Sequence, residues 1–160
     1  AEKYVPFVVG HFEATNRHIN ASDVKRVYDL FNGHTFYIQK TFNESFADTR
    51  EGEVCTLDTI RTAINNIIAS NDTIFREILS NIPEKQKELL YAIAKDGKAE
   101  QITSAEFIKR HRLTSASSVQ SATKKLLEKD IITERNKIYS LNDKLFAMWI
   151  NKLYGNTTML

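Results

Sequence analysis

Cysteine is almost missing from this chain. Cys55 is the only one in 160 residues, so no internal disulfide can form and a thiolate metal site has no ligand set. Proline and glycine are sparse as well, two and five in number, so little interrupts regular structure and the connections are short. No apolar run reaches the roughly 20 residues that span a bilayer. No signal-peptide pattern opens the chain either, so a cytoplasmic protein with no membrane partner is expected.

The pieces of catalysis are also lacking. A phosphate-cradling loop needs Gly-x-x-x-x-Gly-Lys-Ser/Thr. The only Gly-Lys pair, Gly97-Lys98, is followed by Ala99 and has no glycine at the required offset. His11, His18, His34 and His111 are scattered, without the i, i+4 spacing of a helical zinc site. Ser115, Ser117 and Ser118 have no local base to activate them. Glu44 and Asp48 form one carboxylate pair on a helix face, which is ordinary solvated surface. Catalytic, cofactor and metal residues are therefore none, and a binding function is expected instead.

What is present is helix. Tyr4, Phe7, Val8, His11 and Phe12 fall at helical spacing with no capping residue before them, as expected of a chain that starts inside a longer protein. Ser22 is read as the N-cap of a helix with Val24, Val27, Tyr28 and Phe31 on one face, ended by Gly33. His34 or Thr35 opens a third helix that is aromatic on more than one side. Residues 48–54 read as a polar loop. Thr56 caps a long helix with Ile60, Ala63, Ile64, Ile67 and Ile68, and Asn71 or Asp72 restarts the chain into another. Residues 1–80 are expected to form one all-helical domain of four or five helices.

The second expected domain, 81–160, has a more telling order. Pro83 suits the first turn of a helix over 84–95, which Gly97 ends. Ser104 and Ser115 cap helices over 105–112 and 116–129. Ile131 to Leu141 then gives two β-type runs around a polar Asn136-Lys137 turn, and 141–153 closes as a helix. Helix, helix, helix and hairpin make a winged helix-turn-helix, so the fold class is mainly α: a helical bundle followed by that unit. Charge divides in the same way, −3 over residues 1–81 and +5 over 82–160. On the third helix Val119, Ala122, Leu126 and Leu127 face inward, and Ser117, Ser118, Gln120, Ser121, Lys124 and Lys125 lie opposite.

Several segments resemble a family. Phe31-Asn-Gly-His-Thr-Phe-Tyr-Ile-Gln39 resembles a segment that follows the core of archaeal-type P-loop ATPases, AAA-related and STAND-like prokaryotic proteins. The runs Ile82-Pro-Glu-Lys-Gln-Lys-Glu-Leu-Leu90, Ser115-Ala-Ser-Ser-Val119 and Leu126-Leu-Glu-Lys-Asp-Ile-Ile132 are similar to that family in order and spacing. So is the closing Asn142-Asp143…Phe146…Trp149. The resemblance covers about Phe12 to Tyr154. It implies a helical lid followed by a C-terminal winged helix, with the nucleotide core, its ATP and its magnesium lying outside this chain. No lid arginine among Arg17, Arg26, Arg50, Arg61 and Arg76 matches a nucleotide-contacting role.

Two binding readings follow. In the first, the winged helix grips duplex DNA. Ser117, Ser118, Gln120, Ser121, Lys124 and Lys125 enter the major groove, and Arg135, Asn136 and Lys137 act as a wing. Lys109, Arg110, His111 and Arg112 supply phosphate contacts. In the second, the unit is a protein-interaction or autoinhibitory module that packs on the missing ATPase core or another protein, and Phe36, Tyr37, Phe42 and Phe46 are the contact surface.

Overall fold

The computed structural model describes residues 1–154, so the last six residues of the expected second domain lie outside the described part. Contacts divide the chain into two compact units, residues 1–71 and the chain from Asp72 onward.

The first unit runs α1 (Tyr4–Glu13), β1 (His18–Ile19), α2 (Ala21–Leu30), α3 (Thr35–Ala47), β2 (Val54–Cys55) and α4 (Leu57–Ser70). Its core is the apolar stripe of each helix: Phe12, Val24, Val27, Phe31, Ile38, Ile60 and Ile67 are all nearly inaccessible. Packing runs α1 on α2 and α3 on α4. α4 begins as expected, with Thr56 Oγ1 accepting a hydrogen bond from the Thr59 amide. Ser22 is not a cap. α2 starts one residue earlier at Ala21, and Asn20 in the cap position turns its side chain to Asp23 instead. The expected loop ends in a two-residue parallel pairing of β1 with β2, His18 opposite Val54 and Ile19 opposite Cys55.

The second unit runs α5 (Asp72–Ser80), α6 (Glu84–Asp96), β3 (Ala99–Glu100), α7 (Ala105–His111), α8 (Ala116–Glu128), β4 (Ile132–Arg135), β5 (Ile138–Leu141) and α9 (Lys144–Leu153). α6 is its centre. Leu89, Leu90 and Ile93 are buried there, and the helix packs on α8, α9, β3 and β5. The three strands form an antiparallel sheet in the order β3-β5-β4. Pro83 occupies the cap position of α6 rather than its first turn, and Gly97 ends that helix at φ +70°. α9 starts at Lys144, not Leu141, because Leu141 is still paired with Ile132 in the sheet; Asp143 caps the helix through the Phe146 amide.

The boundary expected between residues 80 and 81 is corrected: the division falls before α5, which belongs to the second unit. Phe75 is the reason. Its ring lies 5.2 Å from Phe146 and 5.7 Å from Trp149, so the helix buries its apolar face on α9. A polar clasp joins the same two helices. Asp72 accepts hydrogen bonds from Trp149 Nε1 at 2.8 Å and from Arg76 Nε at 2.7 Å.

The Arg76 hydrogen bond, and after it the Trp149 one, hold the Asp72 carboxyl below the ordinary carboxylate range. A carboxyl depressed in the folded state stabilises above its unfolded value, about pH 4, and loses that contribution as pH falls through the folded one. Stability of the second unit, followed by urea unfolding with the single Trp149 as probe, is therefore expected to drop on acidification below about pH 4. Asp72→Asn should flatten that dependence; an unchanged pH profile would show that the clasp contributes nothing.

Candidate functional site

The exposed side of α8 and the neighbouring hairpin make the only face on which the sequence-derived polar candidates converge among the described residues. Ser104 caps α7 by accepting from the Phe107 amide. Arg112 then turns the chain at φ +55°, and Leu113, Thr114 and Ser115 lead into α8, with Ser115 Oγ accepting from the Ser118 amide. Val119, Ala122, Thr123 and Leu126 point inward. Thr123 is the unexpected member of that set; its hydroxyl donates to the Val119 carbonyl at 2.7 Å, so it is buried without an orphaned polar atom. On the outer side Ser117, Gln120, Ser121, Lys124 and Lys125 are exposed and Ser118 is half-buried. Positions 117, 120, 121 and 124 share one helical stripe.

The hairpin beside it turns on Asn136 and Lys137, both left-handed at φ +53° and +63°. Two successive positive φ values make the two-residue turn whose twist matches that of the strands. Arg135, Asn136 and Lys137 are exposed at its tip. The third strand was not visible in the sequence. Ala99 pairs with Tyr139 and Glu100 with Ile138, so the flap is tied along its β5 edge next to the turn. Between α8 and the flap runs an open groove of about 720 Å³, lined among others by Gln120, Lys124, Asn136, Lys137, Glu100 and Glu134.

The cations are not equivalent. Lys109, Arg112, Lys124, Arg135 and Lys137 are exposed and make no ion pair with any described residue. Lys125 is engaged by Glu128 at 2.9 Å, and that hydrogen bond is the first cause of the lowered Glu128 carboxyl. Arg110 is held by Asp96 at 2.6 Å and lies over the Phe107 ring. His111 is not a surface contact: its side chain is 6% exposed, with Nε2 3.1 Å from Asp96 and the ring 4.4 Å from Phe107. One further cation escaped the sequence reading. Lys85, on the first turn of α6, donates to Thr114 Oγ1 at 2.8 Å, beside the start of α8. The two residues are 29 apart, and no local pattern could have joined them.

The four aromatic candidates of α3 separate. Phe36 is 61% exposed, whereas Phe42 at 5% is core and cannot be a contact surface. Tyr37 and Phe46 are half-buried. Tyr37 stacks on His34, and Phe46 meets Phe12 edge-on with the Arg17 guanidinium above it.

The described residues do not suit ATP. A phosphate loop joins a strand to a helix, but Gly97-Lys98 joins α6 to β3 in the opposite sense. No cluster of three or more His, Cys, Asp or Glu that could hold a metal ion occurs among the described residues. No helix among them is long and apolar enough to cross a membrane.

A family model described as "Probable winged helix domain" matches residues 73–152. No curated protein and no solved structure matches the chain.

The left-handed turn gives a test of the flap. At Asn136 a β-branched residue meets a steric cost of about 1–2 kcal/mol that glycine avoids. Asn136→Val should lower the urea-unfolding stability of the second unit by about that much, and Asn136→Gly should not. Equal stability of the two variants would mean that the turn relaxes without cost.

Proposed function

The chain belongs to the winged helix family, and from that premise we propose that its second unit binds duplex DNA. We further propose that the chain is the non-catalytic C-terminal part of a prokaryotic, archaeal-type P-loop ATPase acting in the cytoplasm, with the lid-like first unit next to a core that supplies ATP and magnesium. The observation that carries the DNA reading is the exposed stripe of Ser117, Gln120, Ser121 and Lys124 beside a flap tipped by Arg135, Asn136 and Lys137. Small polar side chains let a helix approach base edges closely, and a cation at one end anchors it. Gln120 suits adenine and Lys124 suits guanine, each worth roughly 1–3 kcal/mol of discrimination in a good bidentate contact. Lys109 and Arg112, with Lys85 at the turn, supply backbone contacts.

Titration of random-sequence duplex should show micromolar binding at low salt that weakens steeply as salt rises. The log–log slope should steepen by about 0.9 for each phosphate neutralised. The triple variant Lys124→Glu, Arg135→Glu, Lys137→Glu should lose most of that affinity. Binding indifferent to salt, or absent at low salt, refutes the proposal.

Phe36 supports a second reading, in which the first unit docks on the ATPase core or another protein. An aromatic ring 61% exposed on a helix otherwise packed into its unit is the kind of side chain an interface covers. The core added in trans should bind the chain, and Phe36→Asp should weaken that binding at least tenfold, the effect of losing about 1.4 kcal/mol. Unchanged binding by the variant would remove Phe36 from the interface.

A further inference from the structure

The groove between α8 and the flap holds as many carboxylates as ammonium groups. Lys124 and Lys137 stand on its walls, and so do Glu100 and Glu134. All four are exposed, and none is ion-paired with another. Glu134 sits directly opposite Tyr139 across the β4–β5 ladder, so its backbone position beside the groove is fixed by strand pairing. Burial first, and then the negative charge of the Glu134 carboxylate, hold the Tyr139 hydroxyl above its ordinary value. Glu100 is fixed by its backbone pairing with Ile138 on β5.

We propose that Glu100 and Glu134 are specificity residues, which cancel the charge of Lys124 and Lys137 in the groove and weaken its grip on duplex backbone of arbitrary sequence. The inference rests on the DNA reading. Duplex DNA carries one negative charge per about 1.7 Å of its axis, so any backbone strand in a groove of this size comes within a Debye length of both carboxylates. Attraction from the two lysines is offset there, and net binding depends on what Gln120 and its neighbours find on the base edges. Discrimination by an opposing charge, rather than by one more attractive contact, is a general route to specificity.

The test is a gain of binding, which a misfolded variant does not produce. Random-sequence duplex is titrated across a salt series against the wild-type chain, Glu100→Gln/Glu134→Gln, and a control with the same charge change at two exposed residues outside the groove, Glu77→Gln/Glu84→Gln. The groove variant should bind about fivefold tighter, the size of an exposed charge interaction, with a steeper salt dependence than the control. No gain, or an equal gain in the control, overturns it while leaving DNA binding intact. If neither protein binds at low salt, both the inference and the DNA reading fail.

Discussion

Burial of α6 is the constraint on which the second unit depends. Leu90 and Ile93 are fully inaccessible and Leu89 nearly so. From this one helix the unit takes the position of α8, of the β3–β5 pair and of α9. A large-to-small change at such positions removes about 2–5 kcal/mol, much of the stability of a small domain. The polar tethers are weaker. Lys85 to Thr114 ties the start of α8 to α6, and Asp96 ties the end of α7 to it through Arg110 and His111. Each sets an angle rather than a stability, because partly exposed pairs contribute only about 0–1 kcal/mol. The direction of the exposed α8 stripe is thus decided by apolar packing and refined by a few hydrogen bonds.

Much of this was legible because it is local. Thr56, Ser104 and Ser115 each accept from an amide three residues on, and a short-range rule of that kind identifies the residue itself. The repeat of Ile60, Ala63, Ile64, Ile67 and Ile68 gave α4 its inner face, and Asn136-Lys137 gave the hairpin its turn. What escaped is nonlocal. β3 is two residues whose partners lie on β5, 38 or more positions away, and β1 and β2 pair across two intervening helices. α5 fell on the wrong side of the boundary because its partner ring, Trp149, is 77 residues from Asp72.

The site was legible in composition more than in use. A helical wheel separates Lys124 from Leu126, and it did so correctly. It has no means of telling Arg110, taken by Asp96, from Arg112, which makes no ion pair, since both lie at the same polar end of α7. Nor does it tell Phe42 from Phe36. Both are aromatic on one helix, but Phe42 lies on a covered face of α3 and Phe36 on its exposed one. The two groove carboxylates were invisible as a set for the same reason: Glu100 and Glu134 meet only when β3 joins the hairpin.

Charge accounting then limits what the second unit can do on DNA by itself. Under the proposed function, five of the contact cations, Lys109, Arg112, Lys124, Arg135 and Lys137, are exposed and ion-paired with no described residue, and these are the readiest to neutralise phosphates. At about 0.9 per phosphate these five give a salt slope of about 4.5, and binding then falls by about 500-fold between 50 and 200 mM salt. The groove carboxylates pull that figure lower. A micromolar grip at low salt would then be feeble under physiological conditions, where nonspecific binding is already about 10⁻⁴ to 10⁻⁶ M. Under the proposed function, useful affinity must come either from base-edge contacts along Ser117, Gln120 and Ser121 or from several such units held together, where linkage alone multiplies affinity about 10²- to 10⁴-fold. A parent ATPase that brings copies side by side would supply the second, and a matched sequence the first. The balanced groove suits both, because each works only when binding to arbitrary duplex is weak.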